Sequence, residues 1–292
     1  MEADNIDGKK EPKRLPVWAC IPLFIVVLFI FIGLYGTLVS GGLSLVLGVE
    51  ARHPGVVGYI FVEGSMLLAV LTAAIILLRL ERRPFSDLGL SLKGHASGLW
   101  YGLLMAILLY LLGFGISVVL GEIEVTGFQF KPLDLLGSWV FFLLVALFEE
   151  ILMRGYILGR LLHTNMNKFL ALFISSALFA FMHIFNPEIA FLPKLNLLLA
   201  GMLLGASYLY TQNLCFPISL HLFWNWLQGP ILGFEVSGGR LGGTLLSLEL
   251  PEENIINGGA FGFEGSVLCT ALMIIAIAII LKIQSRKVNQ RL

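Results

Sequence analysis

Charge is scarce in this chain. Only 13% of its 292 residues are Asp, Glu, Lys or Arg, 58% are hydrophobic, and the mean hydropathy is +0.90. A soluble domain of this size carries about twice that charged fraction on its surface, so a water-soluble globule is excluded. Cysteine is scarcer still. Cys20, Cys215 and Cys269 stand singly in apolar stretches, which excludes a disulfide framework and a thiolate metal cluster and leaves three small buried hydrophobes. Net charge is also missing, with 19 basic residues against 19 acidic ones. No nucleic-acid partner is expected, and what matters is where the charges lie. Repeats and low-complexity segments are absent too, so the membrane part reads as one domain, residues 16–285.

What the chain has instead is apolar runs of about 20 residues, the length that crosses a bilayer as a helix. Eight stand out, at 16–36, 57–79, 97–120, 135–159, 169–186, 195–211, 214–232 and 266–283. The expected fold is therefore all-α, a polytopic membrane helix bundle with membrane lipids around it. The polar and basic start, residues 1–15, is followed by a run too long for a signal-peptide core and lacking a small-residue cleavage site. It reads as a solvated tail before a retained first span. A second basic tail follows at 286–292. With eight spans both ends share one side. That side holds Lys9, Lys10, Lys13, Arg14, Arg79, Arg82, Arg83, Lys93, Arg154, Arg160, Lys168, Lys282, Arg286, Lys287 and Arg291. The other holds Arg52, Lys131, Lys194 and Arg240, so the split is 15 to 4 of the 19. Positive residues favour the cytoplasm, which places both termini there, and the short loops suit a prokaryotic plasma membrane. The glycine-rich connection 233–265 falls on the outer side, where it either packs on the helix ends or partly re-enters.

Polar side chains at membrane depth cost several kcal/mol and mark function when they occur. Here they are Glu63, Glu149, Glu150, Arg154, His183, His221 and Asn225. The other three histidines, His53, His95 and His163, sit in polar connections. Glu149 and Glu150 are adjacent, hence about 100° apart around a helix, and point in different directions. Glu150 and Arg154 are spaced i,i+4 with the acid first, the favourable order for a pair. That spacing gives Glu150 a structural task and leaves Glu149 free to serve as a general base. The bland alternative is a single structural ion cluster containing both acids. His221 and Asn225 also share a helix face and can aim two donors at one developing negative charge. His183, at the end of FAFMH, can orient a water beside Glu149. Counting from the cytoplasmic helix ends puts Glu149 and His221 at matching depth and a cavity opening to the cytoplasm. His183 comes out too deep unless its helix starts below the surface, tilts or bends. Glu63 has no specific role beyond lining the same cavity or bonding helix to helix near Ser65.

The motifs EEILMR (149–154), FAFMH (179–183) and HLFWN (221–225), in this order, resemble those of the CAAX protease and bacteriocin-processing family of intramembrane glutamic endopeptidases. ERRPFSDLGL (81–90) is similar to that family's usual lead-in. The resemblance covers 135–232, the motif core. It implies an endopeptidase in which Glu149 and His183 activate water, His221 and Asn225 stabilise the oxyanion, and Glu150 and Arg154 support the site. It implies a peptide or lipidated-protein substrate, cut as in CAAX-type or small-peptide processing, and no cofactor. A zinc metalloprotease is the rival chemistry, but no HExxH-type pairing is present and Asn225 is a poor zinc ligand. A catalytically silent scaffold or immunity protein of the same fold is the rival without chemistry. A transporter would need the inverted repeats or paired helix breaks that are missing here.

Overall fold

The computed structural model describes residues 15–47 and 55–289. The expected tail up to residue 14, the connection holding Arg52 and His53, and residues 290–292 lie outside the described residues. In chain order the elements are α1 (Val17–Leu47), α2 (Gly55–Leu80), α3 (Ser97–Val119), β1 (Glu124–Phe128), α4 (Pro132–Glu150) and a π-helix (Ile151–Leu158). They continue with α5 (Gly159–Leu162), α6 (Lys168–Met182), α7 (Phe191–Leu209), α8 (Cys215–Trp226) with a π-turn (Leu227–Ile231), β2 (Leu246–Glu249) and α9 (Val267–Asn289). The protein is an all-α, multi-pass membrane bundle. Each of the eight expected spans is helical. Six are long and apolar enough to cross a membrane, namely α1, α2, α3, α4 through α5, α7 and α9. The other two are shorter, α6 at 15 residues and α8 at 12. The tail expected from residue 286 is helical as far as Asn289.

Local chemistry sets the helix starts. Pro132 occupies the first turn of α4, where its missing N–H costs nothing. The side chain of Asn167 accepts from Phe169 N at 2.8 Å and caps α6. Asn213 Oδ1 accepts from Cys215 N at 2.9 Å ahead of α8, and Ser266 Oγ accepts from Cys269 N at 3.0 Å to open α9.

The fourth span departs from the expected uninterrupted 135–159 helix. Its α turns end at Glu150, the π-helix follows, and the helix then runs on to Leu162. Every residue of the π segment is buried, the charged Arg154 included. This longer helix removes the depth conflict. Glu149 lies 13 residues from Leu162 and His183 lies 15 from Lys168, about 20 and 22 Å at 1.5 Å per residue. The fifth helix also ends at Met182 rather than 186. His183 is its C-cap, and Asn186–Pro187 continues in a conformation that a helix does not accommodate.

The two ends of the bundle differ. At the basic end, the 81–91 stretch forms a floor. Glu81 accepts from Tyr156 Oη at 2.7 Å and from Arg160 Nη1 at 3.4 Å, and Arg83 pairs with Asp87 at 3.2 Å. Gly89 O accepts from Leu214 N at 2.8 Å, and Ser91 O accepts from Asn213 Nδ2 at 2.8 Å, so α8 begins inside the bundle on this floor. Gly89 has φ +75, and a Cβ there would meet Gln212 O at 2.5 Å, so only glycine fits. At the opposite end β1 pairs antiparallel with β2, Glu124 facing Glu249 and Phe128 facing Leu246. This ribbon, absent from the sequence-based expectation, anchors the 233–265 connection. That connection lies over the helix ends, with Leu245 N donating to Pro230 O at 2.7 Å and Gly238 N to Phe261 O at 3.1 Å.

The helices that carry the motifs meet at small residues. A Cβ on Gly201 of α7 would lie 2.9 Å from Ser176 Cα and 3.0 Å from Ser176 O on α6. Because backbone cannot give way there, Gly201→Ala is expected to lower stability by about 1–3 kcal/mol through overpacking. Thermal unfolding in detergent measures it, and an unchanged midpoint would contradict this packing.

Candidate active site

Within the bundle a cavity of about 450 Å³ is lined by Glu63 of α2, Glu149 of α4, His183 at the end of α6, and His221 and Asn225 of α8. Volume in this range is typical of a small-ligand or peptide subsite. The four residues expected to be catalytic are thus brought together, although they come from three helices spread over 77 positions of sequence, 149 to 225 inclusive.

The two adjacent glutamates diverge as expected. Glu150 is fully buried, and its Oε1 accepts from Arg154 Nη1 at 2.7 Å and from His221 Nδ1 at 2.8 Å. Glu149 keeps 15% of its side chain exposed to the cavity. Its Oε2 lies 3.9 Å from Nε2 of both His183 and His221, beyond direct hydrogen bonding, and has no hydrogen-bond partner among the described residues. The carboxylate of Glu149 is therefore available, whereas that of Glu150 is committed.

The histidines are oriented by different partners. His183 Nδ1 lies 2.8 Å from Phe179 O, a carbonyl that can only accept, so the ring donates from Nδ1 and turns Nε2 to the cavity. His221 donates from Nδ1 to the Glu150 carboxylate and turns its own Nε2 the same way. The link between His221 and Glu150 was not expected from the sequence. It makes Glu150 the support of a cavity residue as well as of Arg154. Asn225 lines the cavity one helical turn beyond His221 and has no side-chain hydrogen-bond partner among the described residues.

Arg154 is fully buried. Besides Glu150 it donates from Nη2 to Gly201 O at 3.0 Å, and its guanidinium carbon lies 4.7 Å above the Phe179 ring. Phe179 also stands 4.7 Å from the His183 ring and 6.2 Å from that of His221, so one aromatic side chain fills the space between the arginine and both imidazoles. Sequence reasoning put Phe179 on the helix face of His183 but gave it no role. The i,i+4 spacing on one face was the available signal.

Two further polar residues escaped sequence reasoning. Glu264 accepts from Trp224 Nε1 at 2.8 Å and from Ser237 N and Oγ at 2.9 and 2.7 Å, tying the 233–265 connection to α8 beside the cavity. Asn196 of α7 donates to Glu264 O and Ser266 O at 2.7 and 2.9 Å. An asparagine in the apolar run LNLLLAG could have signalled this; nothing local marks Glu264. Glu63 lines the cavity, while Ser65 bonds Val62 O within its own helix and not Glu63. Among the described residues no three His, Cys, Asp or Glu side chains are grouped to hold a metal ion.

The cavity opens toward the ribbon end. Its upper lining is Tyr59 near the start of α2, Phe141 in the first half of α4, Asn186, and Ser237, Arg240 and Leu241 of the 233–265 connection. The matched depths of Glu149 and His221 led to an expected opening among the basic connections; none of the lining residues comes from those connections. Depth alone does not choose an end, and the 81–91 floor closes the basic one.

Residues 131–227, about a third of the chain, match the family model described as Rce1-like, type II CAAX prenyl endopeptidase. No curated protein and no solved structure matches the chain. The matched segment takes in all six motif residues, Glu149, Glu150, Arg154, His183, His221 and Asn225. Over this segment the chain is similar to the Rce1-like, type II CAAX prenyl endopeptidase family, a likeness that supports a CAAX-type intramembrane protease at the family level.

Proposed function

We propose that this protein hydrolyses a peptide bond with a water activated by Glu149 and His183. The single observation that carries the reading is the buried, unpartnered Oε2 of the cavity-lining Glu149, 3.9 Å from two imidazole Nε2 atoms. A gap of that length suits a water bridging the groups. Glu149 takes a proton from the water and the resulting hydroxide attacks the scissile carbonyl carbon. The carbonyl oxygen becomes an oxyanion that accepts from the Asn225 amide and from Nε2–H of His221 in its imidazolium form, with Glu150 as counter-ion. Glu149 then returns the proton to the leaving nitrogen as the C–N bond breaks, giving one carboxylic acid and one amine. His183 holds the water through Nε2, fixed by its bond to Phe179 O. Glu150, Arg154 and Phe179 are positioning residues.

The substrate class is a peptide or a lipidated protein, and residues 16–285 act as one membrane domain with both termini on the cytoplasmic side. Asn225→Ala tests the oxyanion site. With a quenched fluorogenic peptide as reporter, kcat should fall by about 10²–10³-fold, as when one oxyanion donor is removed, with KM nearly unchanged. A rise in KM at unchanged kcat would assign Asn225 to ground-state binding instead.

A further inference from the structure

The position of the cavity bears on where the substrate comes from. The cavity mouth is built from Arg240, Ser237 and Leu241 of the ribbon-end connection and from residues in the first halves of α2 and α4. Arg240 is half-exposed and pairs with Glu235 at 2.8 Å, as a residue at a wet rim does. The opposite end is closed. Arg160 and Tyr156 are fully buried there against Glu81, and Phe24 stacks on Tyr156 at 3.8 Å between ring centroids.

Charge assigns a side to each end. Arg154 and Arg160 are buried among helices and take no part in the count. Among the described residues 8 basic residues then belong to the closed end (Arg79, Arg82, Arg83, Lys93, Lys168, Lys282, Arg286 and Lys287), against 3 at the open one (Lys131, Lys194 and Arg240). A bias of this kind over short connections orients membrane proteins with the rich side in the cytoplasm. We propose that the active-site cavity opens to the extracytoplasmic face and takes an exported peptide segment presented there, rather than the cytoplasmic tail of a prenylated protein. The inference rests on the hydrolytic reading for the word substrate, but its geometry stands without it. The lining suits such a segment, since Tyr59, Phe141, Phe142 and Leu204 offer apolar contact while Glu63 and Arg240 offer polar ends.

Two measurements test it. Arg240→Cys, and separately Glu252→Cys on the same connection, are treated in intact cells with a membrane-impermeant maleimide beside Arg286→Cys. The native cysteines are buried and set the background. Both ribbon-end cysteines should label before permeabilisation and Arg286→Cys only after it. The reverse pattern in either folded variant overturns the proposal. In the second, a mixed quenched-peptide library is supplied outside right-side-out vesicles and, in parallel, to the detergent-solubilised protein. Glu149-dependent cleavage in both supports the proposal. Cleavage in detergent alone refutes extracytoplasmic entry while leaving the hydrolytic reading intact. Cleavage in neither counts against the hydrolytic reading, and labelling then decides the sidedness alone.

Discussion

Glu149→Gln should lower kcat by about 10²–10⁴-fold, the usual worth of a positioned general base. Glutamine keeps the size and polarity of the side chain and removes only its ability to take a proton. Since Glu149 Oε2 bonds to no described residue, the substitution breaks nothing that holds the bundle. The thermal unfolding midpoint should therefore stay at the wild-type value, and KM should change little. Turnover of the fluorogenic peptide and unfolding of the same preparation measure both. Wild-type turnover would remove Glu149 from the chemistry. Loss of activity accompanied by unfolding would place it with the structural residues.

Glu150→Ala should do the opposite. Its carboxylate is fully buried and serves two donors, Arg154 at 2.7 Å and His221 at 2.8 Å. Removing one partner of a buried pair leaves the other charge uncompensated, at about 3–5 kcal/mol. Arg154 would retain Gly201 O and the Phe179 face, neither of which is an anion. The expected result is a lower unfolding midpoint or poor membrane yield, with activity lost because His221 is no longer oriented. The double variant Glu150→Gln, Arg154→Met should recover much of the lost stability, since replacing a buried ion pair whole costs far less than halving it. Recovery of stability without recovery of turnover would separate the support of the bundle from the orientation of His221. A double variant less stable than Glu150→Ala would contradict the pairing.

Much of this site could be read from the sequence because membrane burial makes polar residues conspicuous. In a chain with so few charges, a Glu–Glu pair and two histidines within apolar runs single themselves out. The 100° step between neighbours already separates Glu149 from Glu150, and the i,i+4 rule already joins Glu150 to Arg154. What could not be read depends on contacts between helices or on small shifts in helix geometry. The bond from His221 to Glu150 spans 71 positions, and no spacing rule reaches that far. The π-helix after Glu150 leaves the apolar pattern unchanged, so the fourth span looked regular and too short, and His183 consequently looked too deep. The β1–β2 ribbon joins strands of five and four residues, too short to show a period, from connections more than a hundred positions apart. The direction of the cavity followed from its rim, which is made of the 233–265 connection and not of the motifs.

The central claim is that two adjacent carboxylates divide catalysis and support between them. Its most direct test is turnover and thermal unfolding measured side by side for Glu149→Gln and Glu150→Ala in one detergent. The account predicts a crossed result, with turnover lost and stability kept for Glu149→Gln, and stability lost for Glu150→Ala. If Glu149→Gln cleaves peptide at the wild-type rate, or unfolds as readily as Glu150→Ala, the division of labour is wrong.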